Sequence, residues 1–197
     1  MSFRKEKKYR LSVYEFNTLK NILIKSGMEK LHEPRLINSL YYDTESLEMY
    51  SDSEEGVLPR KKLRVRWYNS KSKTNIETKL SSIEGRFKTT KSLDLIFQDK
   101  FPRQLVDRVY GILKPSLLVT YSREYYIFSN MRITFDSVII YHNKRIPSFV
   151  GYKDPERVME IKVGFDISDD YINTLIPYPT SRFSKYSRGL LLTRREL

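Results

Sequence analysis

The sequence predicts an α+β protein, in which eight or nine antiparallel strands form a closed or nearly closed β-barrel that is covered by a few packing helices. Most of the chain falls into short runs rich in Ile, Val, Tyr and Phe that are bounded by Gly, Pro, Ser and Asn. The connections between these runs are mostly short, which favours antiparallel pairing, and so many strands with few helices favour a closed or nearly closed barrel. The candidate strands are 3–11, 36–43, 60–69, 74–81, 84–91, 117–128, 131–141, 157–164 and 184–192.

The clearest helix signal lies near the start of the chain and predicts a helix over 13–25. Ser12 and Glu15 have the S-x-x-E spacing of a capping box, in which each side chain accepts a hydrogen bond from the other residue's backbone amide. Gly27 follows at a position where a glycine commonly ends a helix. We expect this helix to pack its apolar side chains on the sheet.

Two further helices are predicted with weaker signals. The range 102–113 begins at a proline, which suits a first helical turn, and continues with an apolar stripe. A short helix is expected after Ser168, which has the side chain of an N-cap residue. The acidic stretch 52–55 is expected to be a loop between strands.

Composition narrows the classes of function. The chain has 197 residues, which suggests a single domain over 1–197, and 36 Lys and Arg against 24 Asp and Glu give a net charge of +12. It has no cysteine and only two histidines, which excludes disulfides, thiolate zinc sites, a cysteine nucleophile and a multi-histidine metal site. No apolar run approaches the roughly 20 residues of a membrane span. We therefore expect a cytoplasmic protein whose partner is an anion.

Charged residues recur at every second position of the candidate strands, and residues at that spacing share one face of a strand. In 60–69, Lys62, Arg64 and Arg66 alternate with apolar residues. A single strand with one charged face in contact with water is ordinary. Repetition of this pattern over six or more strands favours a barrel whose interior is lined by the charged faces and whose apolar outer faces pack against helices. The pattern recurs in Glu6/Lys8, Glu77/Lys79, Arg86/Lys88, Arg132/Thr134/Asp136 and Glu160/Lys162.

The mixture of charges on this face selects a class of ligand. Lys and Arg bind phosphate oxygens, whereas interleaved carboxylates would repel phosphate unless a divalent cation joins them. Mg²⁺ is typically held by one or two carboxylates together with substrate phosphates. A protein surface that binds DNA or an anionic membrane needs cations, and interleaved Glu residues would not strengthen that binding. The pattern therefore favours a metal-bound polyphosphate, and nucleic acid is not expected.

A series of short motifs, in order along residues 4–186, resembles the VTC domain, a polyphosphate polymerase of the CYTH or triphosphate tunnel metalloenzyme superfamily. Each motif is weak alone, but their order along nearly the whole chain makes the resemblance specific. The motifs are RKEKKY (4–9), SLYYDT (39–44), KLRVRWY (62–68), IETK (76–79), GRFK (85–88), YSR (121–123), RITFD (132–136), MEIK (159–162) and SKY (184–186).

The resemblance implies an eight-stranded antiparallel tunnel, open at both ends, that binds triphosphate and holds a Mn or Mg ion. Glu160 is the implied metal ligand, with Glu6 and Glu77 as weaker candidates. The implied substrates are ATP or another triphosphate and inorganic polyphosphate. Eukaryotic members carry a phosphate-sensing domain and membrane helices, so we expect a free-standing version whose association with a membrane would need a partner protein. The implied phosphate-binding residues are Lys8, Arg64, Arg66, Lys79, Lys88, Arg123, Arg132, Lys162, Ser184 and Lys185.

Three functions remain open at this point. A polymerase would transfer the terminal phosphoryl group of ATP to a polyphosphate chain. A tripolyphosphatase or nucleoside triphosphatase would use the same residues with water as the acceptor. A non-catalytic module that binds polyanions or nucleic acid is the third, because the charge is +12 and the 15 tyrosines include residues that could stack on bases.

Overall fold

A computed structural model of the chain describes residues 4–93, 101–146, 148 and 150–194. Within these ranges lie ten strands and four helices. The strands are β1 Arg4–Leu11, β2 Glu29–Asp43, β3 Arg60–Tyr68, β4 Ser70–Ser82, β5 Gly85–Leu93, β6 Leu105–Asp107, β7 Gly111–Phe128, β8 Met131–Asn143, β9 Tyr152–Lys153 and β10 Arg157–Gly164. The helices are α1 Val13–Lys25, α2 Glu48–Glu55, α3 Asp169–Leu175 and α4 Lys185–Thr193.

The chain divides into two compact units, each built from three segments. Unit 1 comprises Met1–Arg35, Tyr121–Ile139 and Lys153–Phe183. Unit 2 comprises Leu36–Thr120, Ile140–Tyr152 and Ser184–Leu197. The long strands β2, β7 and β8 each contribute one segment to each unit.

In unit 1 the sheet runs in the order β1-β10-β8-β7-β2. The β1–β10 and β10–β8 pairs are antiparallel, and their register places Glu160 between Lys8 on one side and Thr134 on the other. The residues between these charged positions form an apolar face that is buried against α1 and α3. Its members include Tyr9, Leu11, Phe16, Leu19, Leu23, Ile133, Phe135, Met159, Ile161 and Ile172.

Helix α1 forms where the sequence predicts it and has the predicted cap. The Ser12 hydroxyl accepts from the Glu15 amide at 3.2 Å, and the Glu15 carboxylate accepts from the Ser12 amide at 2.7 Å. Helix α3 follows Ser168, whose hydroxyl accepts from the Tyr171 amide at 3.2 Å. Both helices therefore begin at predicted N-cap residues and lie on the apolar face.

In unit 2 the order β8-β7-β2-β3-β4-β5 continues the same alternation. Arg64 of β3 lies opposite Tyr41 of β2 and opposite Glu77 of β4. The alternate residues of β2 and β3 point to a second apolar cluster. This cluster contains Leu40, Tyr42, Met49, Leu63, Val65, Trp67 and Leu113.

The eight long strands confirm the predicted number of strands, and β6 and β9 are short additions that pair with β7 and β8. Among the described residues, β1 is an edge strand of unit 1 and β5 an edge strand of unit 2. The expectation of a closed ring of strands is therefore corrected to an open order. Edge strands of this kind carry charged side chains, which discourage pairing with other chains.

The helix predicted over 102–113 is wrong, because this range holds β6, a turn and the start of β7. The register pairs Leu105 with Leu113 and Asp107 with Gly111. Gly111 has a φ of +72°, which suits a tight turn, and the Asp107 carboxylate accepts from the amides of Val109 and Tyr110 at 2.9 and 3.3 Å.

The strand predicted over 184–192 is also wrong, since this range forms α4. Ser184 is its N-cap, and its hydroxyl accepts from the Ser187 amide at 3.3 Å. Residues 52–55, expected to be a loop, belong to α2. None of the helices in the described ranges is long and apolar enough to cross a membrane.

Candidate functional site

Unit 2 contains a set of ion-paired and hydrogen-bonded groups, here called the arginine cluster, formed by buried Tyr41, Arg64, Arg66 and Glu77 and by Lys88, which is exposed. Arg64 donates from Nε and Nη2 to Glu77 Oε2 at 2.9 and 2.6 Å. Lys88 donates to Glu77 Oε1 at 2.5 Å, and Arg66 Nη1 lies 3.7 Å from Glu77 Oε2. Three cations thus surround one carboxylate.

The arginine cluster is shielded from water, because Arg64, Arg66 and Glu77 are only 7%, 8% and 3% exposed. Burial raises the pKa of Glu77, but Arg64, Arg66 and Lys88 outweigh burial and lower that pKa to about 2. Glu77 is therefore ionised at neutral pH and acts as the counter-ion of the arginines. An anion that replaced it would meet two buried guanidinium groups, which favour bidentate contacts with phosphate.

Two uncharged side chains orient the arginines. Arg64 donates from Nη1 to the Tyr41 hydroxyl at 2.8 Å, and Arg66 donates from Nε to Ser39 Oγ at 3.0 Å. Burial raises the pKa of Tyr41, but the charges of Arg64, Arg66 and Lys79 outweigh it and lower the pKa to about 7. The direction of this shift agrees with the positive charge around Tyr41, because nearby cations and a hydrogen bond donated by Arg64 both favour the phenolate.

The start of α4 contributes to unit 2 as well. Lys62 donates to Ser184 Oγ at 2.9 Å, so this cation of β3 lies against the helix N-cap. Tyr186 is 1% exposed, stacks on Tyr41 with ring centroids 4.8 Å apart, and donates a hydrogen bond to Asp43. The stack connects the SKY motif to the arginine cluster.

Unit 1 contains a second set, here called the carboxylate cluster, formed by Glu6, Lys8, Arg123, Asp136, Glu160 and Lys162. Lys162 lies 2.9 Å from Glu160, and Lys8 lies 3.0 Å from Glu6. Arg123 donates from Nε and Nη2 to the two oxygens of Asp136 at 2.5 and 2.7 Å, while its Nη2 is 3.8 Å from Glu160. Three cations here balance three carboxylates.

Glu6 and Glu160 of this cluster stay ionised although burial disfavours their charged forms. Burial raises the pKa of Glu160, but Arg123, Lys162 and Lys8 outweigh burial and lower it well below its usual range. Burial and the charge of Glu160 raise the pKa of Glu6, yet Lys8 and Lys162 lower it overall. The charge of Glu160 is among the causes that raise the pKa of Glu6, so the two carboxylates interact electrostatically.

The structure brings most residues of the predicted site together within one unit or the other. Lys8, Arg123, Lys162, Glu6 and Glu160 meet in the carboxylate cluster of unit 1. Arg132 is exposed on the same face and lies opposite Lys162 in the strand register. The predicted ligand roles of these residues stay predictions.

The other predicted residues lie in unit 2. Arg64, Arg66, Glu77 and Lys88 meet in the arginine cluster. Lys79 is exposed and lies opposite both Lys62 and Lys88 in the register. Ser184 contacts Lys62, and Lys185 begins α4.

Sequence reasoning missed several functional candidates. Tyr41 and Ser39 bind the arginines, yet their only signal was membership of the SLYYDT motif. Asp136 was visible in the alternating pattern but was not assigned as the partner of Arg123. The bond from Tyr186 to Asp43 joins residues far apart in the sequence, so no local pattern could indicate it.

No group of three or more His, Asp or Glu side chains in the described residues is arranged to hold a metal ion alone. Glu6 and Glu160 nevertheless fit a divalent cation that takes its remaining ligands from phosphate, because hard carboxylate oxygens in ones or twos are the usual protein ligands of Mg²⁺. Glu77 fits less well, since Arg64 and Lys88 occupy both of its oxygens.

Comparison with known proteins identifies a family. The VTC domain family matches residues 3–194 of the chain. No curated protein sequence gives a significant match.

Solved structures show the fold. A putative adenylate cyclase from Bacillus halodurans is 15% identical with a TM-score of 0.59, covering 93% of this chain and 94% of that chain. A putative adenylyl cyclase from Hippeastrum, reported to have a dominant triphosphatase activity, is 16% identical with a TM-score of 0.58 and 98% coverage of both chains. A putative adenylate cyclase from Vibrio parahaemolyticus is 14% identical with a TM-score of 0.52, covering 96% of this chain and 98% of that chain. These matches confirm the predicted fold class.

Proposed function

Because the chain belongs to the VTC domain family, we propose that it is a polyphosphate polymerase. It transfers the terminal phosphoryl group of ATP to a growing inorganic polyphosphate chain. The observation that carries this proposal is the arginine cluster, in which buried Arg64 and Arg66 share a single carboxylate, Glu77. Such a site favours a ligand with several closely spaced negative charges. The family match over residues 3–194 supports the same ligand class.

The arginine cluster supports the proposal because it has a replaceable counter-ion. In the free protein Glu77 neutralises part of the charge of Arg64, Arg66 and Lys88. Phosphate oxygens can take over these contacts, and each guanidinium can bind two oxygens at once. The low dielectric around buried groups strengthens these interactions relative to water. The cluster therefore aligns a phosphate chain by charge and by hydrogen-bond geometry.

We propose that Glu160 and Glu6 hold a Mn or Mg ion, with Glu77 remaining a counter-ion. When bound, the ion would offset the charge that develops on the transferred phosphoryl group. Lys8 and Lys162 now lie on these carboxylates and can turn to phosphate oxygens instead. The low pKa of Glu160 keeps its oxygens available as ligands at neutral pH.

The phosphoryl transfer itself requires few catalytic groups from the protein. Phosphoryl transfer depends mainly on positioning and on neutralisation of charge. The acceptor is a phosphate or the end of a polyphosphate chain, which is already anionic, so no strong general base is required. The two clusters, built from Lys, Arg, Glu, Asp and Tyr, match that requirement. ATP or another triphosphate and polyphosphate are the proposed partners, in preference to nucleic acid.

Hydrolysis of tripolyphosphate or nucleoside triphosphates is the second candidate, with water as the acceptor. It is favoured by the triphosphatase activity reported for the Hippeastrum protein, which shares the fold. The same cations and carboxylates serve both reactions. The two candidates therefore differ in product and not in the residues required.

The experiment incubates the protein with ATP and Mn²⁺ and separates the products on a gel stained for polyphosphate. Long chains are expected, and Glu160→Gln is expected to lower their formation by about 100-fold or more. Glu156→Gln is the matched control, because Glu156 pairs with Arg10 at 2.8 Å and is not part of the carboxylate cluster. The control variant should keep wild-type activity.

The products decide between the candidates. Free phosphate without chains would establish the hydrolase and contradict the polymerase. Polyanion binding without any turnover, unchanged in Glu160→Gln, would instead establish a non-catalytic binding module.

A further inference from the structure

Thr134 carries a buried hydroxyl for which the described part of the chain provides no partner. Its Oγ1 atom is inaccessible to water and makes no hydrogen bond. A buried polar group without a partner lowers stability, so such groups are uncommon in native proteins and call for an explanation. A ligand that supplies the missing partner is one such explanation.

The position of Thr134 places this hydroxyl at the carboxylate cluster. Its neighbours Ile133 and Phe135 are 0% exposed in the apolar cluster, so Thr134 lies on the opposite face of β8. Arg132 and Asp136 share that face, because they are two residues away on the same strand. In the register of unit 1, Thr134 lies opposite Glu160.

Of the three other buried hydroxyls without a partner in the described residues, two have a different setting, and the third belongs to Ser181, whose backbone amide donates to the Lys8 carbonyl at 2.8 Å. Tyr9 belongs to the apolar cluster beside α1, and Ser187 lies on the buried side of α4. Thr134 stands apart from these two because its strand neighbours on the same face are charged. Its hydroxyl is therefore placed to meet a polar ligand.

The groups around Thr134 indicate the chemistry of that ligand. Glu160 is held by Lys162 at 2.9 Å and by Arg123 at 3.8 Å, and it does not bind the Thr134 hydroxyl. Lys8 and Lys162 contact Glu6 and Glu160 on the face that carries Thr134, so a phosphate that these ammonium groups bound would lie on that same face. A hydroxyl can then donate to a phosphate oxygen, as a charge-assisted hydrogen bond.

We propose that Thr134 is a further substrate-binding residue, whose hydroxyl donates a hydrogen bond to a nonbridging oxygen of the phosphate chain held at the carboxylate cluster. This inference deepens the proposed function and rests on it. The residue type suits the task, because a β-branched side chain on a strand has few rotamers and keeps its hydroxyl in place.

The test measures binding of sodium tripolyphosphate with Mg²⁺ by titration calorimetry, together with thermal unfolding of the free protein. Thr134→Val keeps the shape of the side chain and removes the hydroxyl. We expect its Kd to rise about tenfold, the effect of one hydrogen bond to a charged acceptor. Its Tm should stay level or rise, because an unpartnered buried hydroxyl is replaced by a methyl group. Thr134→Ser should bind within about twofold of wild type.

Thr120→Val is the matched control. The Thr120 hydroxyl donates to Asn38 Oδ1 at 3.0 Å, so its loss should lower the Tm while leaving the Kd unchanged. Thr134→Val should therefore change the Kd without lowering the Tm, whereas Thr120→Val should lower the Tm without changing the Kd. A variant that affected binding only through the fold would behave like the control.

The outcomes separate this inference from the proposed function. Wild-type protein that binds no tripolyphosphate would overturn the proposed function and the inference with it. Wild-type binding that is unchanged in Thr134→Val would overturn the inference alone. A fall in Tm for Thr134→Val would show that the hydroxyl already has a partner in the free protein, which also overturns it. If Thr134→Val fails to fold, Thr134→Ala supplies the same comparison.

Discussion

Tyr186 donates a hydrogen bond from its hydroxyl to the carboxylate of Asp43, and both side chains are buried, at 1% and 0% exposure. Asp43 also accepts from the backbone amides of Met49 and Tyr50 at 2.9 and 3.0 Å. One carboxylate thus fixes the start of α2 and the first turn of α4. Because Ser184 and Lys185 precede Tyr186 directly, this bond positions two of the proposed phosphate-binding residues.

The first prediction concerns this bond. Burial raises the pKa of Asp43 despite the hydrogen bonds from Tyr186 and the backbone amides, so the ionised carboxylate depends on its donors. Tyr186→Phe removes one donor and keeps the stack on Tyr41. We expect the free energy of unfolding to fall by about 1.5–3 kcal/mol, as for a hydrogen bond to a charged group. Urea unfolding followed by circular dichroism measures the change.

Tyr110→Phe is the control for this prediction. The Tyr110 hydroxyl donates to Asp52 at 2.6 Å, but Tyr110 and Asp52 are only partly buried. The carboxylate left behind can therefore be hydrated, and the loss should be smaller. Equal losses in the two variants would contradict a special contribution from the buried Asp43.

The second prediction concerns the counter-ion of the arginine cluster. Glu77→Gln removes the carboxylate that pairs with buried Arg64 and Arg66, which is expected to lower the free energy of unfolding by about 3 kcal/mol. Tripolyphosphate should raise the Tm of this variant more than that of wild type, because the ligand no longer has to replace Glu77. Thermal unfolding with and without tripolyphosphate measures both effects.

Glu45→Gln is the matched control for Glu77→Gln. The Glu45 side chain is 75% exposed and pairs with Lys114 on the surface, so its loss should change stability little. A Glu77→Gln variant as stable as wild type would show that the carboxylate does not neutralise the arginines.

The third prediction is the pH dependence that follows from the pKa of Glu77. Its pKa falls from an ordinary value of 4.5 to about 2 in the folded protein. A lowered pKa contributes stability that is fully present above about pH 4.5 and is lost as the pH falls toward about 2. Acid unfolding of wild type should therefore be steeper over this window than that of Glu77→Gln. Parallel curves for the two proteins would contradict the shift.

Much of the strand pattern could be predicted because it repeats a simple period. The strand predicted over 157–164 matches β10, and the strand predicted over 60–69 matches β3 to within a residue. In both strands, charged residues at spacing two lie on the face opposite an apolar cluster, and the intervening apolar residues of the strand belong to that cluster. An alternation of charged and apolar residues with a period of two therefore predicts a strand whenever the two faces of that strand have different surroundings.

The wrong assignments of 102–113 and 184–192 show where local patterns fail. The apolar residues of 102–113 have helical spacing, yet Val106, Val109 and Ile112 are 76%, 73% and 57% exposed. The turn formed by Asp107 and Gly111 decides the structure there. The range 184–192 shows the opposite error, since a predicted strand is a helix there. A side chain at Gly189 would collide with Tyr141 and Leu117, and this close packing holds α4 in place.

The fourth prediction concerns Tyr41, whose pKa burial raises but whose cationic neighbours Arg64, Arg66 and Lys79 lower to about 7. The ultraviolet absorbance of tyrosinate in the free protein should show a step of one residue near pH 7. The step should be absent from Tyr41→Phe. Tripolyphosphate should move it to higher pH, because bound phosphate neutralises the cations that favour the phenolate. If tripolyphosphate leaves the pH of this step unchanged, the phosphate binds elsewhere in the protein.

The fifth prediction uses two adjacent lysines of β3 as a matched pair. Lys62 lies on the charged face and donates to Ser184 Oγ at 2.9 Å, whereas Lys61 pairs with both Asp107 oxygens at 3.0 Å. Lys62→Gln should weaken tripolyphosphate binding about fivefold, because a charge-assisted contact to phosphate is lost. Lys61→Gln should change the Kd only by the small amount that the loss of one long-range charge causes.

The pair separates a specific contact from a general effect of charge. Both variants lose one positive charge and have the same net charge, so long-range attraction of a polyanion falls equally in the two proteins. Calorimetry at two salt concentrations measures the Kd, and only Lys62→Gln should also lose part of the salt dependence. Equal weakening in Lys61→Gln would mean that tripolyphosphate responds to the overall charge of β3 and not to the face that carries Lys62, Arg64 and Arg66.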